Sequence, residues 1–130
     1  MAAGAAFVAG QALNLIISHL FYVPRPFVAH HALLLVQAAH DTSFPSDHAT
    51  AAFGVAMTDL LWRMPRRSAL LLVAFLIAIA RVYVGAHYPA DVVVGAILGS
   101  LWAGAFAVLD PFLRRPYDFV LGFARRVHLA

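Results

Sequence analysis

Residues 81–109 read RVYVGAHYPADVVVGAILGSLWAGAFAVL, and this stretch decides the fold class. From Ala90 to Leu109 it carries one formal charge, Asp91, and it lies near the lower length limit for crossing a hydrocarbon core of roughly 30 Å. Gly95 and Gly99 fall four residues apart and Ala103 continues the row, a seam of small residues along which helices can approach closely. Working outward, three further apolar runs precede it: Ala2 to Tyr22, Pro45-Ser46 to Trp62, and Ser68 to Val84. The composition agrees. Of 130 residues, 63% are hydrophobic and 12% charged, with mean hydropathy +0.83, whereas a soluble domain averages about 25% charged residues. Disorder is excluded by the same apolar content. The length allows one domain, residues 1–130. With no cysteine there is neither a disulfide framework nor a thiolate metal site. All nine basic residues are arginine and all six acids aspartate. The isoelectric point near 10.0 raises nucleic acid as a partner, but the positive charge sits beside long apolar runs, so a lipid bilayer is the expected partner and nucleic acid is not.

The expected architecture is therefore all-α: an integral membrane helical bundle of about four transmembrane helices, an interfacial segment, and a basic C-terminal surface helix. The run Ala2 to Tyr22 has no Lys or Arg before it and no clear small-residue cleavage site after it, so it reads as a retained span. Within it Gln11, Asn14 and Ser18 share one helical face, which should point into the bundle and make helix–helix hydrogen bonds. Between Pro24 and Phe44, the apolar stretch Ala32 to Ala39 is too short to cross and reads as interfacial or re-entrant. The tail from Phe112 to Ala130 mixes Phe and Leu with Arg114, Arg115, Arg125 and Arg126, the pattern of a helix lying on a membrane surface. Asp59 is expected to pair with Arg63 at i+4. Seven of the nine arginines fall either between the second and third runs or after the fourth. In an up-and-down bundle these places lie on one side, which the positive-inside rule makes cytoplasmic.

The other two arginines, Arg25 and Arg81, lie at the opposite ends of their helices, as do Pro45-Ser46-Asp47-His48 and His87-Tyr88-Pro89-Ala90-Asp91. Ionisable groups at such positions are costly and are functional candidates. Two guanidinium groups suit phosphate oxygens. Pro45 before a helix start leaves backbone N–H groups around Ser46 and Asp47 for an anion. His48 and His87 could divide the acid and nucleophile roles, and Asp91 could fix one nitrogen of the His87 ring as N–H, leaving the other free to attack.

Arg25-Pro26, Pro45-Ser46-Asp47-His48 and Arg81-x5-His87-x3-Asp91, in that order, resemble the three-part pattern of the type 2 phosphatidic acid phosphatase superfamily. The likeness is closest to bacterial undecaprenyl pyrophosphate phosphatases of the bacitracin-resistance type, where Pro-Ser-Asp-His is common and the first motif reads Pro-Arg-Pro-Phe, as at Pro24 to Phe27. The resemblance covers Asn14 to about Leu109. It implies a metal-independent lipid phosphatase without cofactor, in a bacterial plasma membrane, with its site on the extracytoplasmic side. By it, His87 is the nucleophile that forms a phosphohistidine, Asp91 orients it, and His48 protonates the leaving group. Arg25, Arg81, Ser46 and backbone N–H groups near Asp47 then bind the phosphoryl oxygens. The implied reaction is hydrolysis of a lipid phosphate or pyrophosphate, most of all undecaprenyl pyrophosphate to undecaprenyl phosphate. Phosphatidic acid and phosphatidylglycerol phosphate are the alternative substrates.

The chain departs from the pattern in four places. The lysine seven residues before the arginine is Ser18 here, so that either a charge contact is missing or Asn14 and Ser18 replace it with neutral hydrogen bonds. Ala80 stands where serine is usual before Arg81. Asp47 stands where glycine is more widespread, and an acid beside a phosphate must turn away or serve the pyrophosphate branch. The family core usually carries about two more spans before the first motif, which makes a fragment or a minimal variant the expectation. Other readings stay open beside this one. Ser46 and Asp91 could be plain helix caps, and Arg25 an interfacial anchor. His30, His31 and His40 invite a metal reading, but no glutamate or cysteine accompanies them. A non-catalytic membrane scaffold, or an oxidative enzyme using bound vanadate, are the rival functions. Leu33 to Val36 is expected to help a polyprenyl tail approach from the bilayer.

Overall fold

The computed structural model describes residues 2–30 and 42–128, with side chains described within 7–30 (Ala9 aside) and 42–112. Among these residues all regular structure is helical: α1 (Ala2–Leu20), α2 (Pro26–Ala29), α3 (Asp47–Leu61), α4 (Arg67–Tyr83) and α5 (Pro89–His128). The four apolar runs coincide with α1, α3, α4 and the first half of α5. Helix α3 is central, packed against α1, α4 and α5, and α1 also meets α5.

The seam between α3 and α5 is made of backbone. A Cβ added at Gly54 would lie 3.5 Å from the Gly99 carbonyl oxygen, and one added at Gly95 would lie 2.6 Å from the Ser46 carbonyl oxygen. The Gly95–Gly99–Ala103 row therefore serves packing within the chain. The buried apolar positions are mostly small: Ala49, Ala56, Ala74, Ala78 and Ala103. Large apolar side chains stand outside, among them Leu72, Phe75, Leu76 and Ile79 on α4 and Val93, Ile97 and Leu101 on α5. Water would drive the reverse arrangement, so this distribution fits close-packed helices with an apolar environment around them. By length and composition, one helix among the described residues can cross a membrane: Pro89–Phe112, with mean hydropathy 2.2. Helices α3 and α4 are shorter, at 15 and 17 residues.

Local signals set the helix ends. Ser46 caps α3, its side chain accepting from the Ala49 N–H. Pro89 opens α5, and Asp91 reaches back three residues to accept the Tyr88 N–H at 2.9 Å, closing the first turn as a capping box does. Helix α4 ends on Gly85 at φ 75°, with Gly85 N–H bonded to Val82 O and Ala86 N–H to Arg81 O, the paired bonds of a Schellman motif. Helix α3 ends in the same motif with Arg63 at φ 53° in the glycine position.

Three expectations change. Asp59 pairs with Arg66, Nε to Oδ2 at 2.5 Å, and not with Arg63. The i+4 rule assumes a continuing helix, whereas Arg63 occupies the left-handed turn that ends α3 and the chain brings Arg66 back over Asp59. The C-terminal tail is not a separate helix: α5 runs unbroken from Pro89 to His128, through Pro111 and Pro116. The composition changes near Leu109, but a change of composition is not a helix stop, and each proline removes only one N–H from the ladder. Ser18 turns its hydroxyl to the Leu15 carbonyl at 2.8 Å, so only Asn14 of the expected pair reaches into the bundle. The interfacial stretch Ala32 to Ala39, with His31, His40 and Leu33 to Val36, lies outside the described residues.

Candidate active site

The ends of α1, α3, α4 and α5 that carry the polar motifs meet at one end of the bundle. Five hydrogen bonds, four of them backbone to backbone, hold them there. Ser43 N–H bonds the Val23 carbonyl at 2.7 Å, and Val23 N–H bonds the Thr42 hydroxyl at 3.1 Å, which ties the segment carrying Arg25 to the approach to α3. Ser46 N–H bonds the Asp91 carbonyl at 3.1 Å, which ties the start of α3 to the first turn of α5. The Arg81 carbonyl accepts N–H groups from both Ala86 and His87 at 3.2 Å. The Gly85 turn thus folds His87 back over the end of α4, which explains the spacing between Arg81 and His87.

His87 is buried, and its two ring nitrogens face different groups. Nδ1 lies 2.7 Å from the Ser43 carbonyl oxygen. A carbonyl oxygen can only accept, so Nδ1 carries the proton and the neutral ring has its lone pair on Nε2. Nε2 lies 3.4 Å from Arg25 Nη1, which also donates to the Ala86 carbonyl at 3.1 Å. Arg25 itself is buried. The nearest carboxylate oxygen, Asp91 Oδ2, is 3.8 Å from Nδ1. It accepts a short hydrogen bond from the Ser43 hydroxyl and another from Tyr88 N–H. Asp91 therefore reaches the ring chiefly through Ser43, whose carbonyl makes the direct contact expected of the aspartate.

The remaining residues surround this pair. Arg81 has its Nε buried without a hydrogen-bond partner among the described residues, a donor that an anion's oxygen would satisfy. His48, in the first turn of α3, is exposed and stands within electrostatic range of Arg81, His87, Asp47 and Arg25. Ser46 is fully buried, with its oxygen engaged by the Ala49 N–H, so its visible role is the cap. Asp47 is exposed and turned toward α1, where Asn14 Nδ2 donates to its Oδ1 at 2.9 Å. Two guanidinium groups, two imidazoles and a helix start gather at this end of the bundle, with the Asp91 carboxylate buried near the His87 ring, and their charge suits an anion.

Sequence reasoning missed Ser43, Thr42 and Gly85. Gly85 had a signal, a glycine directly after the last apolar residues of a helix. Ser43 had none, since its decisive group is a carbonyl that every residue possesses. Among the described residues no three His, Asp or Glu side chains converge as metal ligands.

A family profile described as the PAP2 superfamily matches residues 1–115. The chain is 37% identical over 115 residues to "Undecaprenyl-diphosphatase BcrC" of Bacillus subtilis (strain 168), covering 85% of this chain and 60% of that protein. It is 42% identical over 93 residues to "Putative undecaprenyl-diphosphatase YbjG" of Escherichia coli (strain K12), covering 71% and 44%. The crystal structure of a transmembrane PAP2-type phosphatidylglycerolphosphate phosphatase from Bacillus subtilis superimposes with TM-score 0.67 at 27% identity, over 87% of this chain and 59% of that one. The chain thus spans about half the length of the curated relatives it matches.

Proposed function

Because the chain belongs to the PAP2 superfamily, we propose that it carries the catalytic centre of a lipid diphosphatase that converts undecaprenyl pyrophosphate to undecaprenyl phosphate. The observation that carries this reading is the His87 ring. Its Nδ1–H is fixed on the Ser43 carbonyl at 2.7 Å, and its Nε2 faces the Arg25 guanidinium, 3.4 Å from Nη1.

In the proposed reaction the terminal phosphoryl group rests between Arg25, Arg81 and the N–H groups at the start of α3. The His87 Nε2 lone pair forms the N–P bond while the P–O bond to the bridging oxygen breaks. Protonated His48 gives its proton to that oxygen, and the lipid monophosphate leaves. A water then attacks the phosphohistidine, His48 takes its proton, and inorganic phosphate departs from a regenerated His87. Phosphoryl transfer draws its rate mainly from positioning and charge stabilisation, and the two guanidiniums and the ring held from behind supply both. The chemistry needs no metal or cofactor.

The names of the relatives favour a polyprenyl diphosphate, and the likeness to a phosphatidylglycerolphosphate phosphatase keeps that headgroup, with phosphatidic acid, as the second reading. The four apolar helices are proposed as four spans in a bacterial plasma membrane. Arg63, Arg66, Arg67 and the basic tail lie on the cytoplasmic side, and the His87 end faces out. The test is phosphate release in detergent with EDTA present, from a polyprenyl diphosphate, phosphatidic acid and phosphatidylglycerol phosphate, by the chain and by His87→Ala. Release that survives EDTA, is fastest with the diphosphate and vanishes in His87→Ala supports the reading. Equal traces from both proteins would favour a non-catalytic scaffold.

A further inference from the structure

Asp47 poses a problem that the reaction scheme leaves open. It is the first residue of α3, at the helix start where an anion is favoured, and it precedes His48 directly. A carboxylate there repels a phosphate and competes with it for Arg25 and Arg81. The geometry removes it from that competition. Asn14, on the fourth turn of α1 and 1% exposed, donates through Nδ2 to Asp47 Oδ1 at 2.9 Å and to Thr50 Oγ1 at 2.9 Å. The Thr50 hydroxyl in turn donates a hydrogen bond to the Ser46 carbonyl at 3.1 Å. One buried amide therefore holds the carboxylate and also secures the cap of the helix that carries it.

We propose that Asn14 is a positioning residue whose task is to hold the Asp47 carboxylate toward α1, clear of the phosphate-binding site. The inference deepens the reading above and rests on it for the identity of the substrate, though not for the binding of an anion. It also gives the missing lysine a different account. The polar group on α1 contributes no charge to the phosphate; it disarms a charge that would oppose it. Substituting Asn14 releases one negative charge within a few ångström of a bound dianion, an effect of roughly tenfold on affinity at the effective dielectric of a partly solvated site.

The test is a double-mutant cycle of Asn14→Ala and Asp47→Asn, read in two ways. The first is KM and kcat for a polyprenyl diphosphate in detergent. The second, independent of turnover, is the affinity for inorganic phosphate from the concentration dependence of the thermal midpoint. Asn14→Ala should raise KM about tenfold and weaken phosphate binding by a similar factor, with a smaller change in kcat. The defect should shrink as ionic strength rises. Adding Asp47→Asn should return both constants to within about threefold of those of Asp47→Asn alone.

If Asn14 merely packs, Asn14→Ala lowers the midpoint and Asp47→Asn rescues neither constant, and the proposal is overturned. Unchanged phosphate affinity and KM in a folded Asn14→Ala overturn it as well. Should the wild type release no phosphate from any lipid while the phosphate cycle behaves as stated, the substrate reading falls and the role of Asn14 stands. Where Asn14→Ala does not fold, Asn14→Asp supplies the contrast. Its second carboxylate turns Asp47 outward while keeping the side-chain volume, and again Asp47→Asn should restore binding.

Discussion

Replacing Gly95 by alanine tests the link between the helix seam and the site. A methyl at this position would sit 2.6 Å from the Ser46 carbonyl oxygen and 3.1 Å from both the Ala49 Cβ and the Thr50 Oγ1. Carbon–oxygen contacts in proteins settle at roughly 3.3 Å or more, so the first turn of α3 must retreat by roughly 0.7 Å. The neighbours that must yield are a backbone carbonyl and two short side chains of α3, not the far end of a long flexible one. Overpacking of this kind costs about 1–3 kcal/mol, offset by about 1 kcal/mol because alanine is the better helix former. A net loss of up to about 2 kcal/mol follows, several degrees in thermal midpoint. The effect on rate should be larger in proportion. Ser46 N–H holds the Asp91 carbonyl, and His48 lies two residues beyond Ser46, so the retreat moves the acid relative to the nucleophile. A misplacement of about 1 Å costs on the order of 100-fold, so kcat should fall roughly 10- to 30-fold. Gly104→Ala is the control. It lies in the same helix, and a methyl there meets nothing within 4 Å, so it should keep activity and gain up to about 1 kcal/mol. Purified variants in detergent, followed by thermal unfolding and by phosphate release from a polyprenyl diphosphate, give both readings. Equal midpoints and equal kcat for the two alanine variants would refute the reasoning.

Ser43→Ala removes the hydroxyl bonded to Asp91 Oδ2 and leaves a buried carboxylate one donor short; a loss of about 1–3 kcal/mol and at least a tenfold lower kcat are expected from melting and turnover assays. Arg66→Ala should lower the thermal midpoint by more than Arg63→Ala does, since Arg66 neutralises the buried Asp59 while Arg63 makes the turn; equal effects would restore the i+4 pairing. Arg63→Gly relieves a left-handed residue that is not glycine and should raise the midpoint, by up to about 1 kcal/mol, with activity kept. His48→Gln should cut the rate of phosphate release by about 100-fold or more.

Much of this arrangement was readable from the chain. Composition and run length gave the helices, because apolar runs of that length have few other stable outcomes. Parity of the helix ends brought Arg25, His48, Arg81 and His87 to one end before any family was considered. What could not be read falls into two kinds. Asp59 and Arg66 are seven residues apart and meet only because Arg63 reverses the chain, and no periodicity encodes a reversal made by a residue other than glycine. The charge pattern sets the tail apart from the fourth apolar run beyond Leu109, although the helix α5 continues through it.

The second kind concerns function more closely. The groups that set the site's geometry are largely backbone: the Ser43 carbonyl on His87, the Arg81 carbonyl receiving two N–H groups, the Asp91 carbonyl on Ser46, and the Ser46 carbonyl packed on Gly95. Every residue owns such groups, so residue identity does not reveal which of them matter. What sequence does record is the permission for them to meet. Gly85 allows the turn that returns His87 to Arg81, and Gly95 allows α5 to lie against the cap of α3. A scan of polar side chains to alanine would therefore find His87, His48, the arginines, Ser43 and Asn14, and pass over the backbone groups that align them. Adding a single methyl at Gly85 or Gly95 probes that alignment without touching any group that contacts the phosphate.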